Sequence, residues 1–262
     1  IIIENSRRAL ADTASRIWKE RTRKLCDRKF GIGADGVLIL EKARKADVWM
    51  RIFNADGSEA KMCGNGARCA AYWVGENQKP KTENLKIQTL AGIIHAKVSG
   101  NNVKINLTNP TDYKPGIAIK INNREIKVNS INSGVPHAVI FVEGIKDIDV
   151  FGIGRQIRYY ESFAPAGTNV DFVEIVNEDT IKVRTYERGV ENETLACGTG
   201  AAASAIVSSF RLPVSSCQQR VNVITQGGEI IKVYLKKEND KISDVWLEGR
   251  VKIVYKDSWQ FD

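Results

Sequence analysis

The sequence predicts an α+β fold of two pseudo-symmetric domains, each a curved, antiparallel-rich sheet or barrel around a central buried helix. Three observations predict it. Cys63-Gly-Asn-Gly-Ala and Cys197-Gly-Thr-Gly-Ala are near copies of one another, the mark of an internal duplication. Short alternating strands separated by turn residues fill most of the chain. The stretches that follow the two cysteines, Ala67 to Val74 and Ala201 to Phe210, are apolar or small around most of a helical circumference, as a helix is when strands enclose it.

The duplication extends on both sides of the cysteines. Val48-Trp-Met-Arg51-Ile-Phe-Asn54 precedes the first and Ile181-Lys-Val-Arg184-Thr-Tyr-Glu187 the second. Gly33-Ala-Asp-Gly-Val-Leu-Ile answers Gly167-Thr-Asn-Val-Asp-Phe-Val, and Leu85-Lys-Ile-Gln answers Val221-Asn-Val-Ile. The order strand, turn, cysteine, helix, strand, glycine turn, strand is therefore expected twice, with the two halves facing each other and the cysteines meeting at the seam. The crossing falls near Asn109-Pro110-Thr111, giving domains of 1–111 and 112–249. A last strand within 250–262 is expected to return to the first domain, because the second copy is complete by Gly249.

Element by element, an N-terminal helix is expected from Asn5 or Ser6, with Leu10, Ala14, Ile17 and Trp18 on one face. Alternation marks strands at Val103 to Leu107, Arg124 to Val128, Val170 to Ile175 and Val251 to Tyr255. Gly100-Asn101, Asn122-Asn123, Gly227-Gly228 and Asn239-Asp240 supply turns. A surface helix is expected over Ile148 to Tyr159. Arg51 and Arg184 read as structural partners of the two repeats, and the tryptophans as core or interface filling.

Composition narrows the function classes. The chain has 262 residues, 43% of them apolar, enough for two modest cores. No apolar run reaches the roughly 18–20 residues of a membrane span. The formal charge of +8 comes from scattered Lys and Arg that alternate with apolar or acidic residues, so a nucleic-acid partner is not expected. Five cysteines, at 26, 63, 69, 197 and 217, form neither an even secreted framework nor a paired zinc pattern, which points to a reducing cytoplasm and no metal. The sequence opens inside the apolar run Ile1-Ile-Ile without methionine, so further residues upstream are expected.

A thiol at a helix N-terminus meets unpaired N–H groups and the positive end of the helix dipole, which favour thiolate and attract a carboxylate. A matched pair suggests two opposed bases. Racemases and epimerases need a base on one face of an α-carbon and an acid on the other, and thiolate with thiol across a cleft satisfies both roles. Helix-terminal N–H groups would hold the substrate carboxylate and the charge that develops on it.

At these residues the chain resembles the diaminopimelate epimerases, which use no pyridoxal phosphate. The matching segments are Phe30-Gly-Ile-Gly-Ala-Asp-Gly36, Phe53-Asn-Ala-Asp-Gly-Ser58, Met62-Cys-Gly-Asn-Gly-Ala-Arg-Cys69, Phe163-Ala-Pro-Ala-Gly-Thr-Asn169, Tyr186-Glu-Arg-Gly189 and Ala196-Cys-Gly-Thr-Gly200. The resemblance implies cofactor-independent interconversion of LL- and meso-2,6-diaminopimelate for lysine and peptidoglycan synthesis, by a cytoplasmic homodimer. It implies that Cys63 and Cys197 are the acid/base pair. Gly64, Asn65, Gly198 and Thr199 would bind the reacting carboxylate through the backbone, and Asn54, Asn169, Glu187 and Arg188 would recognise the remaining amino and carboxylate groups. The family's glycine-rich opening does not occur in this sequence, and Ser133-Gly-Val-Pro-His137 stands where many members have Gly-Asn-Pro-His.

Cys26, Cys69 and Cys217 read as small buried hydrophobes, and His137 equally as a structural histidine or a site residue. Lys61 either lowers the pKa of Cys63 or simply faces water. Two other functions compete. A proline or hydroxyproline racemase shares the paired thiols but serves a ring without a distal head group, which Glu187, Arg188 and Asn54 argue against. A non-enzymatic redox or metal module would instead hold zinc or a stable disulfide.

Overall fold

A computed structural model describes residues 1–5, 11–77, 83–212, 217–239 and 241–258, with backbone alone along 11–15. The chain divides into two compact units, Ile1–Ile105 with Arg250–Asp262, and Asn106–Gly249.

The first unit runs β1 (Ile2–Asn5), α1 (Ala11–Cys26), β2 (Gly36–Glu41), β3 (Val48–Asn54), β4 (Glu59–Ala60), α2 (Gly64–Asn77), β5 (Asn84–Thr89), β6 (Gly92–Ser99) and β7 (Asn102–Asn106). Its strands lie in the order β1-β2-β3-β5-β6-β7, with β4 on β3. β1 is parallel to β2 and β3 to β5, while the other pairs are antiparallel. Side chains alternate across a strand, so β2 is buried on both faces because each face has its own helix. Val37 and Ile39 pack with Trp18, Leu25, Cys26 and Phe53 beneath α1. Leu38 points the other way, toward α2, where its Cδ2 would meet a Cβ on Gly66 at 2.9 Å.

The N-terminal helix departs from expectation. Asn5 ends β1 rather than starting a helix, and Ile17 is 42% exposed while Trp18, Thr22, Leu25 and Cys26 form the buried face. Its expected first turn, including Leu10, and the side chain of Ala14 lie outside the described residues. The apolar face is set by contact with β2 and β3, which selects the stripe starting at Trp18.

The second unit opens with the hairpin β8 (Thr111–Ile121) and β9 (Arg124–Asn132), turned by Asn122 and Asn123 at φ of 49° and 62°. Two consecutive left-handed residues make the tight hairpin turn, and asparagine tolerates that conformation well. β10 (Pro136–Phe141), α3 (Val150–Arg158), β11 (Asn169–Asn177), β12 (Thr180–Glu187), β13 (Asn192–Thr194), α4 (Gly198–Ser208), β14 (Gln218–Ile224), β15 (Ile230–Glu238) and β16 (Lys241–Arg250) follow. The order is β16-β15-β14-β12-β11-β10-β9-β8, with β13 on β12. The described part of the returning C-terminal segment, 251–258, carries no strand; it is held to the first unit by a bond from the Val251 N–H to the Asn101 carbonyl at 2.8 Å.

The nine elements from β10 to β16 repeat those from β1 to β7. β10 is parallel to β11 as β1 is to β2, and β12 is parallel to β14 as β3 is to β5. Val48 pairs with Ile87, and the matching Ile181 with Val223. Even the buttress of the turn recurs. Arg51 holds Glu59 through two bonds of 2.7 and 3.0 Å, and Arg184 holds Glu193 through two of 2.7 and 2.8 Å.

Strand register corrects the sequence alignment at one point. Leu38 sits opposite Ile52, one residue beyond Arg51, and Asp171 sits opposite Thr185, one residue beyond Arg184. Leu38, not Val37, is therefore the counterpart of Asp171.

α2 packs on β2, β3, β5 and β6 and leaves Cys69, Tyr72 and Trp73 half-buried, whereas α4 is enclosed by strands. α4 touches β9, β10, β11, β12, β14 and β15, and every residue from Gly200 to Ser208 is buried. Its alanines let strands approach from all sides, which larger side chains would prevent. α3 covers the opposite face of β11, where Val170 and Phe172 join Val150, Ile157 and Tyr186 in one apolar cluster. Asp149 caps α3, its Oδ1 accepting the Gly152 N–H at 2.8 Å.

Candidate active site

Each cysteine caps the helix that follows it, and the two caps match bond for bond. The Cys63 sulfur accepts the N–H of Gly66 at 3.4 Å, and its carbonyl accepts that of Ala67 at 2.8 Å. The Cys197 sulfur accepts the N–H of Gly200 at 3.4 Å, and its carbonyl accepts that of Ala201 at 2.8 Å. The residues between, Gly64 and Asn65 in one unit and Gly198 and Thr199 in the other, occupy the first helical turns, where backbone N–H groups have no helical acceptor. Glycine and a small residue leave those donors approachable.

In the first unit Cys63 is half-buried, and Asn65 is exposed, its Oδ1 accepting a bond from Arg68 Nη2 at 2.8 Å. Asn54 closes β3, exposed, its amide donating to the Ser58 hydroxyl at 3.0 Å. Lys61 is exposed. The network that places Asn54 continues through Asp56, whose carboxylate accepts the backbone and hydroxyl donors of Ser58 and is held below its ordinary pKa by them.

The second unit gathers more chemistry around its sulfur. Asn169 bridges two loops: its Oδ1 accepts the Arg188 N–H at 2.8 Å and its amide donates to the Pro136 carbonyl at 3.0 Å. Arg188 donates from Nη1 to the carbonyls of Ala166 and Gly167 at 3.4 and 3.3 Å. Burial, with Asp171 near, raises the Glu187 carboxyl above its ordinary range. Glu187 in turn acts on Cys197.

The expected preference for thiolate is reversed at Cys197. Burial, then the negative charges of Glu187 and Asp171, push its thiol from 9.0 up to about 12, against the opposing hydrogen bonds of Thr199 and Gly200. Three pKa units correspond to about 4 kcal/mol, and a helix terminus contributes about 0.3–2 kcal/mol. Desolvation and like charge therefore win, and Cys197 rests as a thiol.

The sequence leaves His137 undecided and gives no sign of the parts that Asp171, Thr185 and Ser133 play around the sulfur. His137 and Asp171 are wholly buried, with Nδ1 and Oδ2 2.7 Å apart. His137 Nε2 lies 3.0 Å from the Thr199 hydroxyl, which is itself 3.5 Å from the Cys197 sulfur. Thr185 donates its hydroxyl to Asp171 Oδ1 at 2.7 Å, and Ser133 donates to the Thr199 carbonyl at 2.9 Å. Pro136-His137 was the one available signal; Asp171 had none, because it reads as the outward polar residue of an alternating strand.

The remaining cysteines are free thiols; Cys26 is buried, Cys69 half-buried and, against expectation, Cys217 exposed. Among the described residues no cluster of His, Cys, Asp and Glu is arranged to hold a metal ion, and no helix is long and apolar enough to cross a membrane.

A family model described as diaminopimelate epimerase matches residues 1–112 and 129–254. The diaminopimelate epimerase of Hydrogenobaculum sp. is 46% identical over 236 residues, 88% of this chain and 82% of the relative. That of Caldanaerobacter subterraneus subsp. tengcongensis is 40% identical over 256 residues, 91% of this chain and 90% of the relative. Among solved structures, a PhzF-family phenazine biosynthesis protein of Bacillus anthracis superposes with a TM-score of 0.68 at 16% identity, over 92% of this chain and 86% of that one. A hydroxyproline epimerase from Agrobacterium vitis does so with a TM-score of 0.63 at 17% identity, over 88% of this chain and 78% of that one. At such identities these two share the fold alone.

Proposed function

The chain belongs to the diaminopimelate epimerase family, and from that premise we propose that it interconverts LL- and meso-2,6-diaminopimelate by a two-base reaction without a cofactor. The observation that carries the reading is the matched pair of cysteine caps, each sulfur bound at 3.4 Å by the third helical N–H.

In the reaction one sulfur, as thiolate, removes the α-proton while the other, as thiol, delivers a proton to the opposite face. The roles exchange for the reverse direction. The free N–H groups of the turns at Gly64-Asn65 and Gly198-Thr199 bind the α-carboxylate and stabilise the charge that spreads onto it. Cys197, resting as a thiol, is ready as the proton donor. Asn54, Asn169, Glu187 and Arg188 recognise the amino and distal amino-acid groups, and a shorter amino acid leaves them unpaired and is rejected. The product supplies lysine and peptidoglycan synthesis, and by family likeness the enzyme acts as a cytoplasmic homodimer.

The test is incubation of the protein with LL-diaminopimelate in deuterated water, following α-deuterium incorporation and meso product by NMR and chiral chromatography. Wild type incorporates deuterium and forms product, while Cys63→Ala and Cys197→Ala each lose turnover by at least about 10³-fold. Absence of exchange in wild type, or normal turnover in either variant, overturns the assignment.

A further inference from the structure

Arginines in the last turns of α1 and α3 grip corresponding turns of the two repeats. In the first unit Arg23 donates from Nε to the Asp56 carbonyl at 2.6 Å, in the turn that the Gly57 N–H closes onto the Asn54 carbonyl. In the second, Arg158 grips the turn after Glu187, closed by the Glu191 N–H on the Glu187 carbonyl at 2.8 Å. The hold there is larger. Nε and Nη2 of Arg158 donate to Glu191 Oε1 at 3.2 and 3.1 Å, and Nη1 donates to the Ala166 carbonyl at 3.2 Å. Glu191 also accepts the Gly189 N–H at 3.0 Å and the Tyr186 hydroxyl at 3.2 Å.

The first repeat shows what support of the turn alone requires. Gly57 closes it at φ of 81°, where glycine is unstrained, and one arginine bond to a carbonyl suffices. Glu191 closes the second turn at φ of 56°, a conformation that disfavours a non-glycine residue by about 1–2 kcal/mol. The second repeat therefore keeps a carboxylate where support alone would favour glycine, and that carboxylate anchors an arginine that reaches beyond the turn. Its Nη1 shares the Ala166 carbonyl with Arg188, whose own Nη1 donates to Ala166 at 3.4 Å and to the Gly167 carbonyl at 3.3 Å. Gly167 lies at φ of 66°, and a Cβ there would collide with the Arg158 guanidinium, so this loop is folded directly onto that side chain.

We propose that Arg158, held by Glu191, is a positioning residue for Arg188 and thereby sets the affinity for the distal carboxylate of the substrate; this rests on the reading that Arg188 recognises that group. Guanidinium donors form a rigid planar fork. Tying Nη1 of Arg188 to two carbonyls fixes the plane of that fork, and among the described residues its Nε and Nη2 have no partner, which leaves one edge for a bidentate bond to a carboxylate. The main chain of Arg188 is fixed separately, its N–H bound to Asn169 Oδ1. The carbonyls of Ala166 and Gly167 are the rest on which the fork lies, and Arg158 sets where that rest is.

Steady-state epimerisation of LL-diaminopimelate by the full chain, Arg158→Met, Arg188→Met and the double variant tests this, with thermal melting alongside. Arg158→Met is expected to raise KM about tenfold while kcat falls less than about threefold, and to add nothing in the Arg188→Met background, because it acts through that side chain. Glu191→Gln, a milder isosteric change, is expected to raise KM about threefold by the same route. A residue that only supports the turn would lower kcat and the melting temperature with KM unmoved, or would act equally in both backgrounds; either result overturns the proposal. If Arg158→Met shows no cooperative melt, Glu191→Gln alone and combined with Arg188→Met decides on the same criteria. Arg188→Met separates the two readings. If it raises KM while Arg158→Met and Glu191→Gln do not, the positioning role falls and recognition by Arg188 stands; if Arg188→Met keeps the wild-type KM, both fall.

Discussion

Leu38 and Asp171 occupy the same place in the two repeats, each directed from the second strand at the third residue of a cysteine-capped helix. One is a hydrocarbon, the other a carboxylate whose Oδ1 would lie 2.5 Å from a Cβ on Gly200. Two sulfurs with identical backbone caps therefore sit in different electrostatic surroundings.

Cys197 alkylates slowly at neutral pH. Its buried thiol is pushed up to about 12, so iodoacetamide at pH 8 labels exposed Cys217 first. Glu187→Gln removes a nearby negative charge, favours the thiolate and speeds labelling of Cys197 about tenfold, one pKa unit being one decade. Peptide mass spectrometry of timed samples checks both, and Cys197 labelling that keeps pace with Cys217 contradicts the first.

Alkaline pH weakens the fold through the same group. The unfolded chain releases the Cys197 proton near pH 9.0 whereas the folded chain retains it to about 12. The unfolded state therefore binds fewer protons across that window, and stability declines as pH rises from 9 toward 12, by up to about 4 kcal/mol. Urea titrations of wild type and Cys197→Ser at pH 8 and pH 11 isolate the contribution. The wild-type protein loses more stability than the variant between the two values.

Gly200 and Gly64 tolerate alanine differently. A Cβ at Gly200 meets the Asp171 carboxylate at 2.5 Å and the Thr185 hydroxyl at 3.2 Å, so the buried network must shift, costing about 1–3 kcal/mol. At Gly64 the nearest atom is Ile105 Cδ1 at 3.8 Å, an ordinary contact. Thermal melting is expected to fall for Gly200→Ala and to stay within a degree or two, about 0.5 kcal/mol, for Gly64→Ala.

Arg184 anchors more than its carboxylate partner. Besides Glu193 it donates to the carbonyls of Ile145, Lys146 and Ile148 at 2.8 to 3.2 Å, joining the β12–β13 hairpin to the segment before α3. Arg184→Met strands those acceptors and is expected to destabilise by about 2–3 kcal/mol. The Arg28–Asp35 pair is the contrast, with side chains 74% and 96% exposed. Asp35→Asn is expected to change stability by about 0.5 kcal/mol or less, and denaturant midpoints distinguish the two.

The duplication, the α+β class, the helix-capping cysteines and the enclosure of α4 were legible in the amino-acid sequence. Each is written in local signals: repeated words, strand alternation, and small residues around a whole helical circumference. The buried stripe of α1 was not local, because Trp18 and not Ile17 faces inward only once β2 and β3 supply a surface. Only tertiary structure decided the setting of the second sulfur. Alternation along Val170 to Ile175 assigns Asp171 to solvent, yet α4 covers that face, His137 from β10 and Thr185 from β12 reach the carboxylate, and Thr199 of α4 reaches the histidine. A periodic pattern tells which residues share a face, but not what lies opposite, and the energy of a buried charge depends on its surroundings.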